Sequence, residues 1–437
     1  MKHLKAIPRR VGQVVALSSI AIFSKDSFAL QPLSTFVERG HSSNFDARES
    51  AAVVEQRNAE AAQAGRKLLP TLTAVGTYTH NQYEAAVTIP STTGGAPRKG
   101  IITAYNQLDG NITLAVPIVD LAAWKRKSAG EASAEAASLR AESTQIDVER
   151  TITKNYFDLL AARAVVGAAE RTLATNESNL AVIEQRRAAG IATALDKERA
   201  IAEVERAKQT LAQANYLAGA AARILATQSG LEPEKGGEVP SDDLHEEAPV
   251  ATFLGGEKGH PLARAAAADA RAQDANAKAA TYTLLPTLGA TAQERFTNAT
   301  GFAGRSAIYQ IQANITWRLD ASNISANEAQ ASAAKVQAIR EERVLRARTD
   351  EIKDAWDFVT AQTANARAAR AEESANRSAA RLAKERYDAG TALQLDVLQA
   401  DRQAFQSEVN RIQADANLAY ARTALRLAAS ASKDRSR

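Results

Sequence analysis

The residues best placed to do chemistry are two aspartates that recur in the same local sequence. Asp196 and Asp396 each end an Ala-Gly-x-Ala-x-x-Leu-Asp motif, at 189–196 and 389–396. Gly190 and Gly390 are typical of the left-handed residue that ends a helix. An aspartate shortly after such a turn fits the first turn of a returning helix, where its carboxylate caps backbone N–H groups. The pattern predicts two helical turns, each with one acid.

Residue types that carry enzyme or cofactor chemistry are scarce. The chain has no cysteine, so disulfides, thiolate metal sites and thiol nucleophiles are excluded. No two of the five histidines lie at metal-ligand spacing. We find no Ser/His/Asp set and no Gly-rich phosphate loop, and we expect no catalytic residue, cofactor or metal. The histidines are His3, His41, His80, His245 and His260.

Charge argues against a nucleic-acid partner. The chain of 437 residues has 54 Lys and Arg against 50 Asp and Glu, and therefore a formal net charge of only +4. The two signs are interleaved, as at 147–150, which is typical of a solvated helical face. We therefore expect no nucleic-acid binding.

The N-terminus predicts export. Four basic residues at 2–10 precede a mostly apolar run, Val11 to Phe23, and Ser27 and Ala29 supply the small residues of a cleavage site. This order is typical of a signal peptide over 1–29. After Ala29 no stretch approaches 18 consecutive apolar residues, so any membrane crossing would have to use strands.

The remaining chain is a duplication. LeuLeuProThrLeu occurs at 68–72 and 284–288, AsnIleThr at 111–113 and 314–316, and the Ala-Gly motif follows in both halves. The first copy has the longer strand connection, around Thr88–Gly100. Loops absorb insertions at little cost, so two copies of one unit are predicted.

Each copy predicts a pair of two-faced strands. In 107–116 polar residues alternate with an apolar face of Leu108, Gly110, Ile112, Leu114 and Val116. Alternation of this kind fits a half-buried sheet on a soluble core, or a barrel wall between lipid and water. Four strands cannot close a water-filled barrel, and open edges are not viable in hydrocarbon. In a membrane, several copies of the chain would have to share one barrel.

Each strand pair precedes two helices too long for a globule. The stretch from Leu121 to Ala188 contains no proline, and a helix of that length would extend about 100 Å. Its apolar residues repeat at three, four and seven positions, as in a coiled coil. The helices alone are equally compatible with a soluble coiled-coil tether or adaptor. The stretch 231–259 is rich in Pro, Gly and acids, and it predicts a linker with little long-range order.

Taken together, these motifs resemble the TolC family of outer-membrane efflux proteins. The resemblance covers almost the whole mature chain and includes the strand-to-helix junctions at 116–120 and 319–320. It implies a mainly α fold with a β-barrel contribution, in which a duplicated unit of β-hairpin and long helical hairpin forms a trimeric shared transmembrane barrel continuous with a periplasmic α-helical barrel. It also implies a passive exit channel of a tripartite efflux or type I secretion system. The alternative is a periplasmic coiled-coil adaptor or structural protein.

The resemblance implies partners and a location. It predicts a homotrimer in the lipid bilayer of the outer membrane, with a periplasmic adaptor and an inner-membrane pump of RND or ABC type. The expected organisation in chain order is signal peptide 1–29, N-terminal segment and helix 30–67, first β-hairpin 68–119, first helical hairpin 120–229, linker 230–259, helix 260–283, second β-hairpin 284–320, second helical hairpin 321–432 and tail 433–437.

The resemblance also assigns residues at the helical turns. Asp396 matches an acid that lines the aperture, and Asp196 and Tyr387 match positions that hold the tip closed by inter-helix hydrogen bonds. Two departures are Gln399, where the best-known member has a second acid, and Ala392, where it has an arginine. The alternative interpretation of Asp396 is a simple helix cap. The turns expected to contact the adaptor contain Gly190, Ile191, Thr193, Leu195, Gly390, Thr391, Leu393 and Leu395.

Overall fold

The computed structural model describes residues 30–90, 94–318 and 320–429. The predicted signal peptide and the C-terminal tail lie outside these ranges. Within them the chain is mainly helical, as predicted, and its two halves repeat the same order of elements.

The first copy contains four strands and four helices. Helices α1 (Leu33–Ser43) and α2 (Phe45–Arg66) precede strands β1 (Thr71–His80), β2 (Ala85–Ile89), β3 (Arg98–Thr103) and β4 (Asn106–Val119). The long helices α3 (Leu121–Ala188) and α4 (Ala194–Ser229) follow.

The second copy has the same plan with fewer strands. It consists of α5 (Pro261–Tyr282), β5 (Thr287–Thr297), β6 (Ala307–Thr316), α6 (Ala321–Asp388) and α7 (Gln394–Ala429). Helices α3 and α6 both have 68 residues, and α4 and α7 both have 36. The equal lengths show that the helical hairpins are copies of one unit.

The longer first connection is not the plain loop that its Pro and Gly content suggests. Strands β2 and β3 form a separate antiparallel hairpin within it. This hairpin lies on the second strand connection, where the Gly301 N–H donates to the Ile101 carbonyl at 2.8 Å. A Cβ at Gly100 would meet the Gly301 carbonyl oxygen at 2.5 Å, so the close contact requires glycine.

Four strands form one antiparallel sheet in the order β1-β4-β5-β6. The register places Leu72 opposite Leu114, Ala292 opposite Ile311 and Leu288 opposite Ile315. Opposite residues in an antiparallel pair share a face, so one face of the sheet is apolar. Glu294, opposite Tyr309, is the charged exception on it.

The helices continue the order of the strands. Near the sheet, neighbours pack in the order α2-α3-α5-α6, and further away in the order α4-α3-α7-α6. The end of α4 meets the start of α2, where the Asn44 amide donates to the Gln228 carbonyl at 3.0 Å. We call the resulting stacks columns one to four: β1/α2/α4, β4/α3, β5/α5/α7 and β6/α6. Together they form one layer that is four columns wide.

Columns one and four are the free sides of this layer. Every residue of β1 and β6 is exposed, as is most of α2. Large apolar side chains are uncovered on both, including Leu72, Ile311 and Ile339. The buried residues concentrate along α3, α5 and α7, which have neighbours on both sides.

The linker at 231–259 has little regular structure, yet it is fastened to both hairpins. On the first, the Arg163 guanidinium of α3 donates to the Gly236 carbonyl at 2.6 Å. Arg422 of α7 is 4% exposed, and its guanidinium pairs with Asp242 at 2.7 Å and with Glu247 at 2.6 Å. The Trp356 indole donates to the Ala248 carbonyl at 2.8 Å. Leu244 and Phe253 pack on the core of α6 and α7. The linker is therefore a fixed strap and not a loose one.

No helix among the described residues has both the length and the apolar composition to span a membrane.

A buried histidine begins α5 at the point where columns two, three and four meet. His260 is 3% exposed, and its Nδ1 accepts from the Leu262 N–H at 3.1 Å, so Nε2 carries the proton of the neutral ring. Burial, together with the nearby charges of Arg348 and Arg150, lowers the pKa of His260 to about 4, although Glu351 opposes the shift. Protonation of Nδ1 would break this cap.

We predict an acid-sensitive fold whose sensitivity comes from His260. Because its pKa is lower in the folded state than the ordinary 6.5, its contribution is complete above pH 6.5 and is lost as pH falls toward 4. The loss should reach about 3 kcal/mol. His260→Asn keeps a capping acceptor and should flatten the decline in thermal midpoint between pH 7 and 4. The exposed His80→Asn should keep the decline, and an equal decline in all three proteins would contradict this assignment.

Candidate functional site

The two helical turns at the far end of the layer share one backbone geometry. Gly190 and Gly390 have φ values of 76° and 74°, and a Cβ at either position would meet nothing within 4 Å. The Ile191 N–H donates to the Arg186 carbonyl at 2.8 Å, and the Thr391 N–H donates to the Arg386 carbonyl at 2.8 Å. This is a Schellman ending, and the left-handed glycine makes it inexpensive. We call the two turns tip one (186–196) and tip two (386–396).

Tip one has a complete capping box. The Asp196 carboxylate accepts from the Thr193 N–H at 2.9 Å and from its hydroxyl at 2.7 Å. The Thr193 hydroxyl in turn accepts from the Asp196 N–H at 3.2 Å. These bonds from Thr193 lower the pKa of Asp196, so its charge is retained at neutral pH.

Tip two has only half of that motif. The Asp396 carboxylate accepts from the Leu393 N–H at 3.0 Å, but Leu393 has no hydroxyl to return the bond. Loss of an N-cap side chain costs typically about 1 kcal/mol. The Asp396 carboxylate is exposed, and its helix start is held less firmly than that of Asp196.

Direct contacts join the two tips within one chain. The Arg186 guanidinium pairs with the Asp388 carboxylate at 2.9 Å and lies over the Tyr387 ring, 4.8 Å from its centroid. The Gln394 amide donates to the Asp196 backbone carbonyl at 3.1 Å. Cation–π and ion-pair contacts at exposed sites contribute about 0.5–1 kcal/mol each. The two tips are therefore held together weakly.

The closing role that the resemblance gives to Asp196 and Tyr387 stays a prediction, and the structure shows which contacts these residues make within one chain. Asp196 and Tyr387 both lie at the contact between tips, yet the Asp196 carboxylate serves its own turn. Only its backbone carbonyl reaches the other tip, and Tyr387 contributes its ring face. Arg186, Asp388 and Gln394 were missed, because a contact between residues about 200 positions apart leaves no local pattern.

A second contact between the two hairpins, an ion pair, lies further along the helices. Glu203 of α4 is 7% exposed, and its carboxylate binds the Arg402 guanidinium of α7 in a bidentate pair, with one distance of 3.1 Å. Arg206 also reaches Glu203, at 3.2 Å. The Glu203 carboxylate raises the pKa of Arg402. Loss of Arg402 would leave the buried Glu203 carboxylate with Arg206 alone, so the pair should matter for the contact between α4 and α7.

The tips also present apolar side chains to solvent. Ile191 is 76% exposed and Leu393 is 70% exposed, and Leu195 and Leu395 are exposed beside them. Neither helix packing nor capping uses these side chains. A cluster of exposed large apolar residues at the end of an elongated protein is typical of a contact surface.

The polar face of the sheet is a further candidate surface. Asp109 of β4 pairs with Arg295 of β5 at 2.9 Å, and the Gln293 amide donates to the Asn111 side chain at 3.1 Å. Thr, Asn and Gln make up most of the remaining positions on this face. It can therefore be wetted without an unpaired charge.

One group of three side chains in the described ranges could hold a metal ion. Asp242, Asp243 and His245 place ligand atoms within 4.8 Å of one another. Protein partners already engage them, since Arg422 donates to Asp242 and to the His245 Nε2 at 2.9 and 2.7 Å. The His245 Nδ1 lies 2.5 Å from the Asp243 carboxylate. These three side chains therefore help to hold the strap in place.

Comparison with known proteins identifies the kind of chain. A family model described as outer membrane efflux protein matches residues 38–231 and 258–431. The outer membrane protein OprJ of Pseudomonas aeruginosa is 26% identical over 337 residues, which are 73% of this chain and 68% of that protein.

Solved structures show the same fold at lower identity. The Campylobacter jejuni CmeC outer membrane channel gives a TM-score of 0.77 at 16% identity, covering 100% of this chain and 95% of that one. A membrane protein from Pseudomonas aeruginosa gives 0.75 at 21% identity, covering 92% and 93%. At such identities the likeness concerns the fold.

We predict that Arg186→Gln loosens the tips. It removes the ion pair with Asp388 and the contact with Tyr387, which together contribute about 1–2 kcal/mol. The population in which the two tips have separated should therefore rise about 5–30-fold. Amide hydrogen exchange in 384–397 should accelerate accordingly. Arg187→Gln, which changes an adjacent arginine outside these contacts, should leave exchange unchanged. Equal exchange in both variants would contradict the assignment.

Proposed function

The chain belongs to the outer membrane efflux protein family, and we propose that it is the outer-membrane exit channel of a tripartite efflux system. In this role it is a passive conduit, with no catalytic residue of its own. The observation that carries the proposal is the four-column layer, in which each strand continues into a helix and both sides are left open. Such a layer is a segment of a tube wall.

We propose that three copies close the tube. The free backbone edges of β1 and β6 need partners, and a second copy supplies them when β6 of one chain pairs with β1 of the next. Three copies of four strands give a barrel of about twelve, within the known range for outer-membrane barrels. The apolar face bearing Leu72, Leu114 and Ile311 would then meet lipid, and the face with Asp109 and Arg295 would line a water-filled lumen.

The helical columns extend this lumen away from the membrane. Helices of 68 residues reach about 100 Å, enough to carry a duct deep into the periplasm. Their contact faces are rich in alanine, which permits close helix approach in a thin wall. The free faces of α2, α4 and α6 would be covered by neighbouring copies.

The tips are the proposed meeting point with a periplasmic adaptor, itself joined to an inner-membrane pump of RND or ABC type. The supporting observation is the uncovered apolar group Ile191, Leu195, Leu393 and Leu395. Gly190, Thr193, Gly390 and Thr391 fix the turns that present these side chains. A type I secretion system would use the same surface, because the fold alone does not select the cargo.

The rival role, a periplasmic coiled-coil adaptor, fits the chain less well. An adaptor needs one helical hairpin, whereas this chain has two, each preceded by its own strand pair. The role of an adaptor also does not explain a sheet whose apolar face and both edges are uncovered.

We predict that Asp396 sets ion preference at the aperture. In a trimer its exposed carboxylate would form a ring of three, and acidic rings favour cations. Asp396→Asn keeps an acceptor for the Leu393 N–H but removes the charge, and should lower the cation-to-anion permeability ratio at least about twofold in planar bilayers. Asp354→Asn, on an exposed part of α6 far from the tip, should not. If reversal potentials of Asp396→Asn match the parent, Asp396 is only a helix cap.

We predict that the apolar tip residues carry adaptor binding. Replacing Ile191 and Leu393 together by serine removes two exposed side chains, each worth about 1.5 kcal/mol or more on burial. Cross-linking to the adaptor and efflux from cells should both fall at least about tenfold. Leu382→Ser, an exposed leucine of α6 before the turn, is the matched control. Efflux retained by the double variant would refute tip docking.

A further inference from the structure

Two adjoining cavities lie where the second helical hairpin crosses the first. The larger, of about 250 Å³, lies between α3, α4 and α7. The smaller, of about 180 Å³, lies between α3, α6 and α7. Both are lined by Thr172, Asn176, Asp401 and Phe405. The two volumes therefore meet around one aspartate and one phenylalanine.

The charges around these cavities leave one carboxylate without a partner. The other lining acids are each engaged by arginine: Glu203 by Arg402 and Arg206, Glu408 by Arg171, and Glu373 by Arg377. Asp401 accepts no hydrogen bond from the described residues. Burial raises the pKa of Asp401, and the charge of Lys384 on α6 partly offsets this. An incompletely solvated carboxylate of this kind gains from a cation placed beside it.

The rest of the lining suits an apolar group. Phe405 offers an aromatic ring next to Asp401, and Ala169, Ala207 and Leu398 form part of the larger cavity. An apolar cavity of about 150 Å³ accepts benzene, so the larger cavity has room for a phenyl ring with a short side arm. Aromatic faces also attract ammonium groups directly.

We propose that the paired cavity around Asp401 is a binding site for small aromatic ammonium cations. The ammonium group binds the Asp401 carboxylate, and the aromatic part fills the space beside Phe405 and Ala207. The site is separate from the aperture acid Asp396 and from the apolar tips.

Binding would be coupled to the position of the second hairpin. The larger cavity is lined by α3 and α4 from the first hairpin and by α7 from the second, and the Glu203–Arg402 pair closes one side of it. The site is complete only while α7 lies on α3 and α4. A ligand that binds one arrangement better than another shifts the population toward it. The effect on transport, holding the duct in this arrangement, rests on the proposed channel function, whereas the binding step does not.

The test compares two probes of nearly equal shape on the purified full chain in detergent. The probes are 4-phenylbutylammonium and the uncharged 4-phenylbutanol, and binding is followed by ligand-observed NMR. The ammonium should bind at least about tenfold more tightly than the alcohol. Asp401→Asn should abolish this difference. Ala207→Leu, which fills the larger cavity without changing charge, should weaken both probes at least about tenfold.

Glu385→Gln is the control, because it removes an exposed carboxylate of α6 that lines neither cavity. It should leave both affinities unchanged. The proposal is overturned if the unmodified chain shows no saturable binding of the ammonium, or if Asp401→Asn binds both probes as the parent does. Should Asp401→Asn fail to fold, the comparison of probes on the parent and on Ala207→Leu still decides. Bilayer currents report the channel function independently, so failure of either idea leaves the other measurable.

Discussion

The unpaired backbone edges of β1 and β6 are the constraint on which the rest of the structure depends. Each edge presents a row of N–H and C=O groups, and four strands are too few to bring the two edges together. The apolar face of the same sheet is uncovered, with Ile311 and Ile315 each 74% exposed. Other copies can satisfy the edges, and a lipid environment can cover the face. We therefore infer that the single chain is one part of a larger assembly.

The outer helices have uncovered sides just as the outer strands have unpaired edges, because strands and helices follow the same order along the molecule. Each strand of the sheet belongs to a column, and α2, α4 and α6 on the outer columns lack neighbours in the same way as β1 and β6. The strap at 231–259 and the buried cluster around His260 then fix the columns to one another. At the far end the tips and the Glu203–Arg402 and Arg171–Glu408 ion pairs join the two hairpins. We therefore expect the two hairpins to be held together most firmly between the sheet and the strap, and least firmly at the tips.

Small sequence differences between the two copies leave the turn of the second hairpin less firmly held than that of the first. Tip one has a full capping box, whereas tip two lacks the hydroxyl because Leu393 replaces the threonine. Asp388 and Tyr387 of the second hairpin receive Arg186 from the first, with no equivalent contact in the reverse direction among the described residues. We infer that the second hairpin is the more easily displaced of the two.

The sequence predicted what depends on local pattern. Repeated LeuLeuProThrLeu and Ala-Gly motifs located the strand and helix pairs, since proline, glycine and periodicity act over a few residues. The β2–β3 hairpin was read as a loop because its glycines and prolines obscure two short strands. The fastening of the linker was missed because it depends on Arg422, about 180 positions from Asp242. The contacts of Arg186, Asp388 and Gln394 were missed for the same reason. The aperture role of Asp396 stays a prediction.

The most direct measurement is a disulfide between the two edges of the sheet. The chain has no cysteine, so paired cysteines at a position of β1 such as Thr73 and at Gln310, Gln312 or Asn314 of β6 report only on each other. Within one chain these edges are separated by three strand spacings, about 14 Å, beyond the roughly 7 Å that a disulfide can bridge. We predict that at least one pairing gives covalent species that end at three chains in oxidised outer membranes, while single-cysteine variants give none. A ladder that ends at two chains, continues past three, or fails in every register would contradict it.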